Sequence, residues 1–272
     1  MIAALQIQAG LRNGKTFLKN SFYTQPFKLL DITEDKTDAT LRLMMMSSSP
    51  GILDEDEYKI QVELGEQCSV ELETQSYQRL FHMKNRATQQ MQVKMAKGSS
   101  FIFLPHPSVP HECSSFLSKN IFYLLEDCML IWGEVLTCGR KLNGEVFRFS
   151  RYHSQTEIFL SGKLIVKENL LVAPASTNVN AIGQLEGFTH QSSFICICKE
   201  IPGNPALESI HEILSVEKDI CFGVSTLSVN GIIIRLLGYG AEQLYNIQKT
   251  ISKLVIAANK KANNIKTKTY AK

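Results

Sequence analysis

From the N-terminus to about residue 200 the chain repeats one signal: apolar and polar residues alternate with a period of two, in short runs separated by Gly, Pro, Asn, Asp or Ser. Alternate residues of an extended chain point to opposite faces, so each run reads as a β-strand with one buried face. The clearest is 58–64, where Tyr58, Ile60, Val62 and Leu64 point one way and Lys59, Gln61 and Glu63 the other. Gly65-Glu66 follows as a turn, and 68–74 repeats the pattern, which predicts a hairpin with one wet face. Further strands are expected at 91–95, 100–104, 120–125, 128–136, 145–154, 156–160, 163–166 and 193–197. Strand centres recur at roughly 8 to 14 residues with no helical segment between them, which argues against a parallel sheet wound through helices and for an antiparallel, β-rich body over 1–200.

After Pro202-Gly203-Asn204-Pro205 the period changes. Leu207, Ile210, Ile213 and Leu214 fall at helical spacing in 206–214, as do Leu244, Ile247, Ile251, Leu254 and Val255 in 241–261. Between these helices, 225–229 and 231–237 read as two strands joined at Asn230-Gly231, a strong hairpin signal. Residues 262–272, rich in Lys, Asn and Thr, are expected to fray. The whole of 1–272 is read as one domain.

With 44% hydrophobic and 20% charged residues the chain carries enough apolar surface for a large core. A net charge of +3 is far below the basic excess of a dedicated nucleic-acid binder. No apolar run approaches the roughly 20 residues needed to cross a bilayer, and the first residues lack the basic and hydrophobic segments of a signal peptide, so a cytoplasmic protein without membrane partners is expected. Seven irregularly spaced cysteines, mostly in apolar stretches, suit reduced thiols better than a disulfide framework.

Several constellations bear on chemistry. His106, His111 and Cys113 lie in a Pro-rich stretch and are weak candidates for a soft divalent ion; their bland reading is an extended connector. Cys196 and Cys198 fall on one face of a strand, where the apolar context favours two buried small side chains. Nucleophile-elbow, phosphate-loop and dinucleotide signatures are absent, which leaves a hydrolase without local support. Residues 139–145 form a basic turn. Glu134 and Glu168 stand in apolar strands, where a charge is costly unless it is paired or meets water. Pro50-Gly51 ends a strand in a tight turn before the acidic loop 54–57.

Taken in order, Ser49-Pro-Gly-Ile-Leu-Asp-Glu-Asp56, Thr74-Gln-Ser-Tyr-Gln-Arg-Leu-Phe81, Leu104-Pro-His-Pro-Ser-Val-Pro110, Trp132-Gly-Glu134, Gly139-Arg-Lys-Leu-Asn-Gly-Glu-Val-Phe147 and Glu186-Gly-Phe-Thr-His190 resemble the urease accessory protein UreD family, called UreH in some organisms. The motif residues are Pro50, Gly51, Asp56, Gly139, Arg140, Gly144, Glu145, Glu186 and His190. The resemblance implies a mainly β fold: a large antiparallel, stacked, β-helix-like strand body with two helices near the C-terminus. It also implies a non-enzymatic urease maturation chaperone that binds UreF and, through it, the GTPase UreG, docks on apo-urease, and helps deliver nickel through a wet internal passage. Where many members carry Gly-Asp this chain has Glu55-Asp56, and many carry Asp where Glu168 stands.

No permanent cofactor is expected, only transient Ni²⁺. A moving hydrated ion needs oxygen ligands that hold it weakly, since a nitrogen or sulfur cage would stop it. Glu134 and Glu168, with Thr74, Gln75 and Ser76 as polar neighbours, are the passage candidates; no residue is expected to be catalytic. The alternative is a scaffold bridging UreF and urease with no ion route through it.

Overall fold

The computed structural model describes residues 1–35, 37–198 and 204–269. Its first strands are β1 (Ile2–Arg12), β2 (Lys15–Tyr23), β3 (Phe27–Asp31), β4 (Thr40–Ser47), β5 (Glu57–Leu64), β6 (Ser69–Thr74), β7 (Gln78–Leu80), β8 (Ala87–Met95) and β9 (Ser100–Phe103). They are followed by β10 (Ser108–Pro110), β11 (Ser115–Leu124), β12 (Met129–Thr137), a 3-10 turn (Lys141–Asn143), β13 (Arg151–Leu160), β14 (Lys163–Val172) and β15 (His190–Ile197). Helix α1 (Asn204–Val216), strands β16 (Ile220–Thr226) and β17 (Gly231–Gly238), and helix α2 (Ala241–Thr269) close the chain. The mainly β composition and the two C-terminal helices are as expected, and β5 shows the period-two signal directly: Tyr58, Ile60, Val62 and Leu64 are buried and the residues between them exposed.

Two large sheets carry the strands. One has the order β14-β13-β11-β8-β5-β1-β2 and the other β16-β17-β15-β12-β9-β6-β4-β3, with the short β10 beside β12 and β7. From β4 to β13 the long strands fall alternately in the two sheets, so β5, β8, β11 and β13 pair in parallel, as do β4, β6, β9 and β12. The antiparallel body expected from sequence is thereby corrected: antiparallel pairing occurs at the flanks, in β1-β2, β3-β4, β13-β14, β12-β15, β15-β17 and β16-β17. Parallel neighbours need a crossover, commonly a helix. Here a strand of the facing sheet supplies it, leaving no helical signature between strands.

The same crossover removes the hairpin expected at 58–74. β5 and β6 lie in different sheets, and the segment between them is a corner closed by the Cys68 N–H on the Gly65 carbonyl at 3.2 Å, with Gln67 at φ 58. The strands expected at 145–154 and 156–160 form one strand that starts at Arg151; before it, the Phe147 N–H returns to the Cys138 carbonyl at 2.7 Å. β14 continues past 166 to Val172. Residues 199–203, which include Pro202 and Gly203 of the expected break, lie outside the described residues. Helix α2 runs on to Thr269, so the expected fray at 262–272 is helical through 269, and 270–272 lie outside the described residues.

Two apolar clusters hold the fold. The larger lies between the sheets and includes Leu5, Ile60, Leu72, Val93, Phe101, Phe122 and Trp132. In the second, Ile131, Val135, Phe194, Cys196 and Ile234 meet Ile210 and Leu214 of α1 and Leu244, Ile247, Ile251 and Val255 of α2. Cys196 and Cys198 are buried there, as the apolar context predicted. Among the described residues no helix is long and apolar enough to cross a membrane.

Helix α2 seats on β12 at a glycine. A Cβ on Gly133 would lie 2.5 Å from Gln248 Oε1 and 2.6 Å from Leu104 Cδ2. Gly133→Ala is therefore expected to cost about 1–3 kcal/mol by overpacking. Urea denaturation measures it as a lowered midpoint at unchanged slope, and an unchanged midpoint would mean that the helix sits more loosely than described.

Candidate functional site

Leu130, Trp132 and Leu136 of β12 pack in the inter-sheet core, and Glu134 shares their parity, so its side chain points between the sheets. Register then builds a row across one sheet. Glu134 stands beside Ser193 of β15, and Ser193 beside Arg235 of β17. The facing sheet carries a second row, in which Asn120 of β11 neighbours Thr156 of β13 and Thr156 neighbours Glu168 of β14. At this end the facing surfaces cease to be apolar.

Each acid is held by the opposite sheet. Tyr152 Oη and Ser154 Oγ of β13 donate to Glu134 Oε1 and Oε2 at 2.6 and 2.9 Å. Ser193 Oγ donates to Glu168 Oε2 at 2.9 Å, while Arg235 Nε and Nη2 donate to Glu168 Oε1 at 3.3 and 2.9 Å. Burial raises the Glu134 carboxyl above the usual carboxylate range, and the Glu168 charge adds to this, against the lowering effect of the two hydroxyls. Burial, reinforced by the neighbouring Glu134 charge, raises the Tyr152 phenol too, so it stays a donor.

Both acids line a cavity of about 490 Å³ together with Ser154, Thr156, Ser193 and Arg235. Glu134 also walls a second cavity of about 50 Å³ that includes Thr74, Ser76, Gln89, His106, Asn120 and Tyr152. A third, about 100 Å³, shares Thr74, Ser76, Gln78 and Gln89 with the second and adds Gln75, Pro50 and Gly51. One water occupies roughly 10–15 Å³ on such a measure, so each has room for several. The five residues singled out from sequence thus lie along three neighbouring cavities.

The histidine and cysteine candidates are not gathered. His106 Nδ1 lies 2.8 Å from Thr74 Oγ1, and its ring packs on Tyr245 at 4.8 Å. His111 is buried against Phe81 at 4.7 Å, and Cys113 is exposed at φ 61. Among the described residues no group of three or more His, Cys, Asp or Glu converges as a metal site.

The motif residues shape turns around the cavities. A Cβ on Gly51 would lie 2.4 Å from the Arg79 carbonyl, so the Pro50-Gly51 turn depends on the missing side chain to approach β7. Asp56, buried, accepts the Leu53 N–H at 2.8 Å. Glu55 takes φ 63, the left-handed conformation that glycine adopts freely, and Asn85 Nδ2 donates to its side chain at 2.9 Å. In the 139–145 turn Arg140 grips Glu145 with two hydrogen bonds, and Gly144 at φ 78 caps the 3-10 turn. Glu186 Oε1 accepts the Gly183 N–H at 2.8 Å. His190 is buried, and burial, with the nearby Lys141 charge, lowers its pKa to about 4.

Sequence reasoning missed Tyr152, Ser154, Thr156, Ser193, Arg235 and Gln248. Most had a readable signal: in 152–158, Ser154 and Thr156 share parity with Tyr152 and Ile158, which marks polar groups on an inward face. Gln248 had its own, a lone amide in the apolar stripe of a helix; its Nε2 donates to Ser192 Oγ, the Ser193 carbonyl and the Glu134 carbonyl at 2.7, 2.9 and 3.3 Å.

Comparison with known proteins points one way. The family model for UreD urease accessory protein matches residues 1–267. A urease accessory protein UreD of Flavobacterium johnsoniae is 47% identical, covering 97% of this chain and 95% of its own length. Those of Acetivibrio thermocellus and Actinobacillus pleuropneumoniae are 36% and 32% identical, over 92% and 90% of this chain and 96% and 93% of theirs.

His190 sets an acid limit on stability. A histidine with a lowered folded-state pKa is bound less tightly by protons when folded, so its contribution is fully present above the ordinary value of 6.5 and is lost as pH falls toward about 4. The loss amounts to roughly 3 kcal/mol. Denaturation midpoints between pH 7 and 4 should therefore fall less steeply for His190→Gln than for the parent; equal slopes would place the acid limit elsewhere.

Proposed function

The chain belongs to the UreD urease accessory protein family, and we propose that in urease maturation it offers nickel a wet, weakly anionic route between its two sheets while holding UreF, and through it UreG, against apo-urease in the cytoplasm. It is an accessory protein rather than an enzyme, as its relatives are named. The observation that carries the route is Glu134, a shared wall of the 490 Å³ and 50 Å³ cavities, with Thr74 and Ser76 shared onward into the 100 Å³ cavity.

The chemistry suits passage. Carboxylate, hydroxyl and amide oxygens attract a hydrated divalent ion without the grip of thiolate or imidazole. Tyr152 and Ser154 hold the Glu134 carboxyl in place through neutral donors rather than through a competing cation. Thr74, Gln75 and Ser76 add oxygens where the route meets the Pro50-Gly51 turn. His106, although beside it, is engaged by Thr74 and Tyr245. The cargo is the ion itself, and no resident cofactor takes part.

The scaffold reading draws on one observation, the Glu168–Arg235 ion pair at 2.9 Å, which would serve a purely structural wall equally well. The two readings part in one experiment. The double variant Glu134→Gln, Glu168→Gln is expected to co-purify with UreF, UreG and apo-urease at parent levels while urease activation falls by roughly tenfold or more, as is usual when groups that orient a metal's surroundings are lost. Full activation with intact assembly would leave the scaffold reading standing and end the route.

A further inference from the structure

We infer that Arg235 is a displaceable counter-ion: its guanidinium pairs with Glu168, and a divalent cation entering the cavity takes that carboxylate and sends the guanidinium back to solvent. The inference rests on the ion-route reading and adds a gate to it.

Three features of the pair favour exchange over a fixed bridge. First, both guanidinium contacts, Nε at 3.3 Å and Nη2 at 2.9 Å, fall on Oε1, while Oε2 belongs to Ser193 at 2.9 Å. The two-oxygen fork that makes Arg–carboxylate pairs strong is therefore not formed. Second, the Arg235 side chain is 64% exposed and that of Glu168 15%, so a solvated arm reaches in to a sheltered acid. Pairs of this kind are held weakly. Third, Arg235 has room to leave. Its neighbour across the β16–β17 ladder is Gly223, which lines the same cavity, and a Cβ there would meet nothing within 4 Å.

Charge balance points the same way. With Arg235 in place one positive charge already faces Glu168; with Arg235 displaced, Glu168 and, once ionised, Glu134 supply two negative charges to a divalent ion. A monovalent ion cannot make that exchange as favourably, so the arrangement selects for divalent cations with oxygen-tolerant coordination. Glu134, held by the hydroxyls of Tyr152 and Ser154, needs no such exchange. The acid at the mouth carries the gate and the inner acid stands open.

The test is calorimetric titration of the full chain with Ni²⁺ alone, with melting temperatures as a check on folding. Arg235→Gln should tighten Ni²⁺ binding by about tenfold, because a competing unit charge is gone. Arg235→Lys, which keeps the charge, should stay within about twofold of the parent by the same reasoning. In Arg235→Gln, Glu168→Gln the gain should vanish. Binding by Arg235→Gln at or below the parent's, at an unchanged melting temperature, would overturn the gate, as would a gain that survives loss of Glu168. Failure of the route itself looks different: Glu134→Gln and Glu168→Gln would then each leave Ni²⁺ binding at the parent value.

Discussion

The interior polarity of this fold depends on a cross-grip, in which each buried-strand carboxylate is held by donors from the opposite sheet. Glu134 rises from one sheet to Tyr152 and Ser154 of the other, and Glu168 crosses the reverse way to Ser193 and Arg235. A charge between two sheets would be costly without partners. Here the hydroxyl partners cost the fold little, because Tyr152, Ser154 and Ser193 come from strand positions that already face inward, whereas Arg235 reaches in from a largely exposed position. The 490 Å³ cavity lies where these cross-sheet contacts gather.

Helix α2 belongs to the same system. Gln248 is fully buried, and its amide nitrogen faces the carbonyls of Glu134 and Ser193, an orientation that the two acceptors dictate. Its Oε1 is left without a partner among the described residues. The amide nitrogen thus gives the helix one specific seat. That seat fixes the backbone of Glu134 and of Ser193, and the Ser193 hydroxyl in turn holds Glu168. A run of hydrogen bonds and backbone thereby joins α2 to both acids, which lie in different sheets.

Much of this was legible in the chain. Most strand positions, the two helices and the inward acids follow from local periodicity, and the hairpin before Gly231 from its turn residues, although its first strand is Ile220–Thr226 and not 225–229, with 227–230 as the loop. Strand direction was not legible. Whether β6 turns back along β5 or crosses to the other sheet is decided at the 65–68 corner by contacts with distant residues, such as the Gly65 N–H on the Ala9 carbonyl at 3.0 Å. The partners of the acids were half legible: Ser154 and Thr156 announce themselves by parity, whereas Arg235 resembles any outward basic residue until register sets it two strands from Glu134.

The two acids differ in what holds them, and the difference decides what the site can do. A storage site would gather three or more strong ligands, and none such converges among the described residues. A purely structural wall would pair both carboxylates with cations, yet Glu134 is supported by neutral hydroxyls while sitting where two cavities meet. Such a carboxylate is poised to attract a cation and too sparsely assisted to retain one. On the proposed route an entering ion would meet a guanidinium competitor at Glu168 and only neutral donors at Glu134. On that route the inner carboxylate, rather than any cluster of soft ligands, would set how long an ion stays.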